Sequence, residues 1–248
     1  MDFRQYYKRR LYYFALVLMM FALFIPAAYA SNGQQPAAQQ QRIDFEHFEL
    51  LRSTNRDSAH KYAERVIGNI DSLAVSMEVA KVYDFMAEYA EMTLHRYSMA
   101  LGYRLQSARV YEALDNLPCM TRTNALLARI YLRNGDYHNA FSYSTKALED
   151  ALQLGDETSE REAYLVLEQV TYFYNNDIDM AMSYNRMVTD GYEGREQAHQ
   201  TVRALNNRFN YSMTFEDMLD LTLLAEALCK EYDFGDLLIN IYLNASMQ

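Results

Sequence analysis

The sequence is poor in residues that interrupt regular structure. Three prolines and eight glycines in 248 residues leave few places for tight turns, which favours long helices over a sheet protein built from many hairpins. Cysteine is nearly absent too. Cys119 and Cys229 lie far apart without metal-type spacing, and each sits among apolar helical residues, where a buried free thiol is the common state. A disulfide between them stays open only because the chain reads as exported. The five histidines, His47, His60, His95, His138 and His199, are dispersed and form no helical His-Glu metal signature. Glu91 and His95 stand one turn apart, a surface pair or half of a metal site. A glycine-rich phosphate loop, a nucleophile elbow and a catalytic Cys/His pair are missing from the sequence. The tripeptide Asp233-Phe234-Gly235 lacks the accompanying loops of a kinase and reads as a helix-to-helix turn. The expectation is a chain with no catalytic residues, no cofactor and no metal, and not an enzyme.

Basic residues are also scarce, 23 against 33 acidic ones. Four of them, Arg4, Lys8, Arg9 and Arg10, fall in the leader "MDFRQYYKRR", and the uncharged run "LYYFALVLMMFALFIPAAYA" follows, ending in Ala28-Tyr29-Ala30. A basic start, an apolar run stopped by Pro26 and small residues at the cut make residues 1–30 a signal peptide. A run of this length also suits an N-terminal membrane anchor if it is not cleaved. No cysteine follows it, so a bacterial lipid anchor is excluded. Both readings place the rest of the chain outside the cytoplasm, in the periplasm or the extracellular space. Without the leader the chain carries 19 basic and 32 acidic residues, a formal charge of −13. Such a surface repels phosphate backbones, so no nucleic-acid partner is expected, and membrane contact is expected only through the N-terminal segment. Residues 31–42, with "SNGQQPAAQQQ", are a polar tether with nothing to bury. The folded region is expected to begin near Ile43.

What the sequence does contain is a repeat. Ala140 with Tyr143 recurs as Ala181 with Tyr184, Ala100 with Tyr103 and Ala59 with Tyr62, at shifts of 41, 40 and 41 residues. Tyr97, Tyr137 and Ile178 precede the alanine by three, and Leu101, Phe141 and Met182 follow it by one. Val66, Ala147 and Val188 form a further small or aliphatic column, with Ser107 the exception. The turn Asn134-Gly135-Asp136 aligns with Asn175-Asn176-Asp177. Four units in register are a repeat, and each unit reads as two antiparallel helices. Gly135 suits the left-handed residue that closes a helix, Asn176 tolerates the same conformation, and Asp136 is a natural N-cap. Gly68-Asn69 and Gly155 are stop signals, and Ser159 with Glu162 forms a capping box before the next helix. Leu94-His95-Arg96 offers no glycine, which predicts a tighter turn or partly merged helices in the second unit.

Gly135, Tyr137, Ala140 and Ala147 on a second helix, with Ala128 and Tyr131 on the first, resemble the tetratricopeptide repeats over residues 43–190. The third unit matches best; His47, Glu88 and Gln169 stand where the first-helix alanine belongs in the others. The period also exceeds the usual value of about 34 and falls in the range of HEAT-like arrays. The resemblance implies an all-α, right-handed α-solenoid of antiparallel helix pairs, four hairpins over 43–190 and a divergent fifth with the C-terminal helices over 191–248. There "GYEGREQAHQ" reads as a turn and a loosely packed helix, Thr214 with Asp217 as a capping box, and Asp236 as the cap of the last helix.

The 22 tyrosines and 14 methionines fill space between helices for the most part; exposed ones also suit an adaptable recognition surface. In repeats of this kind the first helices line the concave face. There Arg122, Arg129 and Arg133 form a candidate partner-binding stripe, able to hold carboxylates bidentately or to pair with nearby acids of the chain itself. The resemblance implies a non-enzymatic exported scaffold that binds protein or peptide partners in the bacterial cell envelope. Exported repeat domains also resemble the sensor portions of longer membrane-spanning signalling and transcription regulators, the alternative reading. Between Leu237 and Leu243, six of seven residues are large and apolar. That excess calls for a cover on the last helix: a second copy in a homo-oligomer, a partner, or a downstream domain.

Overall fold

A computed structural model describes residues 39–68, 75–191, 193–211 and 214–247. The signal-peptide or anchor segment and most of the expected tether lie outside the described residues. Among the described residues every regular element is helical, and no helix is long and apolar enough to cross a membrane. The chain divides into two compact units, residues 1–73 and 74–248.

The first unit contributes α1 (residues 39–51) and α2 (Arg56–Gly68). Helix α1 already covers residues 39–42, so helix includes the last residues of the expected tether and precedes the expected start at Ile43. Asn55 accepts a hydrogen bond from the Ser58 N–H at 3.0 Å and starts α2, one of the four free donors of a helix N-terminus being satisfied this way. Phe48, Ala59, Ala63 and Val66 are buried. His47 of α1 stacks on Tyr62 of α2 at 4.9 Å.

The second unit holds α3 (Met77–Met92), α4 (Tyr97–Ala113), α5 (Leu117–Arg133), α6 (Tyr137–Leu154), α7 (Glu157–Val170), α8 (Ile178–Thr189), α9 (Gly194–Asn207), α10 (Phe215–Tyr232) and α11 (Gly235–Ser246). Each packs against its neighbours in sequence order, and α7 additionally touches α5 and α9. This is an arrangement consistent with a helical solenoid. Side-chain oxygens start most of the helices: Ser76, Asn116, Asp136, Asp156 and Asp177 each accept from a backbone N–H three residues on. Gly135 (φ 76°), Gly155 (φ 67°) and Asn176 (φ 55°) take the left-handed conformation expected of them. The second turn, which has no glycine, uses His95 at φ 53° in the same role. Helices α3 and α4 are therefore separate, not merged, at the cost of a left-handed non-glycine residue.

Two further helix starts and the packing of one helix differ from expectation. Asp156, not Ser159, caps α7, and the Ser159 hydroxyl donates to Asp156 at 2.6 Å; Glu162 takes no part in the cap and points elsewhere. Phe234 occupies the N-cap of α11, with Asp236 inside the first turn. Helix α9 is not loosely packed: Ala198, Val202, Ala204 and Leu205 are buried, and α9 touches α7, α8, α10 and α11. The Thr214–Asp217 capping box is complete in both directions.

The core follows from the small residues. Ala100, Ala140 and Ala181 are fully buried, as are Ser107, Ala147 and Val188 two turns further along the same helix face. Ala128 and Ala140 meet with Tyr131 and Tyr143 beside them, the small side chains allowing close helix approach and the rings filling the flank. Tyr131 stacks on Tyr143 at 5.3 Å, Tyr164 on Tyr184 at 5.9 Å, and Tyr83 lies 6.4 Å from Tyr103. Helix α7 is followed directly by a π-helical turn, Thr171–Asn175, whose wider i→i+5 bonding adds a residue to the last turn. Cys119 and Cys229 are both free.

Candidate functional site

Helices α3, α5, α7 and α9, the first helices of successive pairs, line a groove of about 270 Å³ in the second unit, with Arg104 of α4 also reaching it. Its floor is a ladder of alternating charge, one rung per helix. Arg129 of α5 donates from Nε and Nη2 to both oxygens of Glu91 on α3, at 3.0 and 2.9 Å, and from Nη1 to Oε1 of Glu162 on α7 at 3.1 Å. Arg203 of α9 grips Glu162 with two more hydrogen bonds, 2.7 Å to Oε2 and 3.2 Å to Oε1. Burial pushes the Glu162 carboxyl up, but Arg203 and Arg129 together outweigh it and hold it at about 2. Burial also works against the Arg129 charge, and Glu162 and Glu91 overcome it so that its affinity for the proton rises. Two arginines and two glutamates balance, which is what allows four charges to sit in so little water.

The three arginines singled out from the sequence stand in different situations. Arg129 is a rung of the ladder. Arg133 reaches Glu91 at 3.7 Å and lies over the Tyr97 ring at 5.6 Å. Arg122 is at the rim, 67% exposed, and its 3.7 Å partner Glu196 of α9 is 61% exposed. The structure thus brings Arg129 and Arg133 onto one carboxylate and leaves Arg122 across the groove from Glu196.

Sequence reasoning passed over Arg203 and gave Glu91 and Glu162 other roles: Glu91, read as a surface pair or half metal site with His95, is buried and held by Arg129, and Glu162 was read as part of a cap with Ser159. Successive rungs are separated by 38, 33 and 41 residues, so the first helices do not keep the register that made the second-helix columns visible. The one available signal was chemical, a glutamate or arginine interrupting an apolar face.

Two other buried polar clusters stiffen the same region. Arg161 of α7 donates to the carbonyls of Val188 (2.5 Å) and Gly191 (2.9 Å) and to the Thr201 hydroxyl (2.6 Å), and makes no ion pair among the described residues. The end of α8 presents partial negative charge to it. Glu168, six residues after Glu162 on the same helix and fully buried, accepts from Asn185 (2.7 Å), Asn207 (2.9 Å) and the Tyr211 hydroxyl (2.6 Å). Burial pushes its carboxyl up to about 7, against the pull of those donors.

Among the described residues, no group of three or more His, Cys, Asp or Glu is placed to hold a metal ion. The groove offers exchangeable charges at its rim, a neutralised floor, and the exposed thioether of Met92 at one end. Comparison with known proteins finds no family model that matches the chain and no curated protein that matches it.

Proposed function

We propose that this protein is an exported, non-enzymatic helical-repeat scaffold of tetratricopeptide type, right-handed with a period of about 40 residues, working in the bacterial cell envelope. It binds an extended segment of a protein partner along the groove of its first helices. The observation that carries this reading is the groove itself: the first helices of four successive pairs line it, and its rim pair, Arg122 with Glu196, is largely solvated. A pair of that kind contributes little to the fold, so both members exchange their mutual contact for a partner's opposite charges at small cost. The acidic balance of the chain argues for a protein partner over nucleic acid.

The test is capture of partners from envelope extracts by the full chain and by an Arg122→Ala/Arg133→Ala variant, which leaves Arg129 and the ladder intact. Recovery of a defined partner by the first and its loss with the second supports the groove. Equal recovery by both, or turnover of a small substrate without any partner, overturns it.

A further inference from the structure

The outer face of the last hairpin is unusual for a chain of acidic balance. On α10, Phe215, Leu219 and Leu223 follow one another at four-residue spacing and are exposed, Phe215 at 75%. On α11 and its C-cap, Ile239, Leu243 and Met247 do the same, Met247 at 72%. Four-residue spacing keeps each set on one side of its helix. Both sets lie opposite the residues that pack on α9, since Leu221, Ala225, Leu228 and Ile241 form one core with Ala198, Val202 and Leu205. The hairpin therefore has two apolar faces, one covered by α9 and one uncovered.

Charge says what fits the uncovered face. Residues 214–247 contain seven acidic residues and a single basic one, Lys230, which is paired with Glu226. Asp217 is occupied by the cap at Thr214. Glu216, Asp220 and Glu231 are exposed and share the flank of α10 next to its apolar row. A second copy of the chain docked by a two-fold axis would set this acidic hairpin against itself, and like charges brought together at an interface oppose association. A helix with apolar residues at four-residue spacing and lysines or arginines beside them satisfies both features at once.

We infer that the outer face of the α10–α11 hairpin is a docking surface for a basic amphipathic helix of a partner protein. That helix lies along the two apolar rows as the next layer of a stack of helices would. Its basic residues meet Glu216, Asp220 and Glu231. The surface is separate from the groove and does not depend on the groove's function.

The experiment titrates the full chain into a fluorescently labelled helical peptide of about 18 residues, one face leucine and the other lysine and arginine, and reads anisotropy. Saturable binding is expected, weakening roughly tenfold as salt rises from about 50 to about 300 mM. Leu223→Ser with Ile239→Ser lowers affinity at least about tenfold with an unchanged far-ultraviolet circular dichroism spectrum. Glu216→Gln, Asp220→Asn and Glu231→Gln together flatten the salt dependence. The proposal is overturned if a peptide with glutamate in place of its basic residues binds equally well, or if the leucine and isoleucine changes leave affinity unaltered. Light scattering that finds a dimer of the unmodified chain, split into monomers by the same changes, also overturns it and assigns the face to a second copy.

Discussion

Glu162 and Glu168 sit on one helix, are both buried, and are held in opposite ways. The region around Glu162 supplies two arginines, and the carboxyl is kept ionised with its proton affinity lowered to about 2. The region around Glu168 supplies two amides and a phenol, and burial raises the carboxyl to about 7 despite three donated hydrogen bonds. Neutral donors replace part of the lost hydration of a charge, whereas a full opposite charge replaces most of it. The first region is a charge-balanced floor beneath a groove. The second is a polar knot with no countercharge among its hydrogen-bond donors, and it ties α7 to Asn185 of α8, Asn207 of α9 and Tyr211 beyond it.

The comparison breaks most sharply at Glu162. Glu162→Ala leaves Arg203 without its carboxylate and Arg129 with only Glu91, and is expected to cost about 3–5 kcal/mol, the range for removing one partner of a buried ion pair. Urea denaturation of the full chain measures it.

A pH series separates the two regions next. The Glu168 carboxyl has an ordinary value of 4.5 when unfolded and about 7 when folded. Between those values the unfolded chain binds fewer protons than the folded one, so this group's contribution to stability falls as pH rises from 4.5 to 7 and is level above. Its full extent is on the order of 3 kcal/mol. Glu162 works in the other direction: its contribution is present above 4.5 and lost as pH falls towards 2. Stability measured against pH is expected to lose the decline between 4.5 and 7 in Glu168→Gln and to keep the acid loss.

Glu168→Ala is expected to cost less than Glu162→Ala, about 1–3 kcal/mol, because it strands neutral donors and not a buried charge. A cost equal to that of Glu162→Ala would remove the distinction between the two regions. The smallest effect belongs to the rim. Arg122→Ala is expected to change stability by no more than about 0.5 kcal/mol, since its pair with Glu196 is solvated, and a thermal melt checks it.

Much of the local structure was legible in the chain. Gly135, Gly155 and Asn176 announce left-handed turns because few residues tolerate that backbone, and Asp136 announces a cap because its carboxylate reaches the free donors of the next turn. The buried alanines of the second helices were readable for a similar reason: where helices approach closely only a small side chain fits, whatever surrounds it. The second turn was less legible, since His95 takes the left-handed conformation and histidine adopts it far less often than glycine does. Glu162 was misread as a capping residue because its spacing from Ser159 is right for a box, while Asp156, three residues earlier, holds the cap.

Sequence was therefore sufficient for the all-helical class, for most helix ends and for the small-residue faces, all of which rest on interactions spanning a few residues. The ladder of Glu91, Arg129, Glu162 and Arg203 was decided only by the tertiary structure. Its members come from four helices at unequal spacings, and a charge's partner is chosen by proximity and burial, which no local pattern records. The same holds for the opposite fates of Glu162 and Glu168: six residues apart on one helix, they differ because packing places guanidinium groups beside one and amides beside the other.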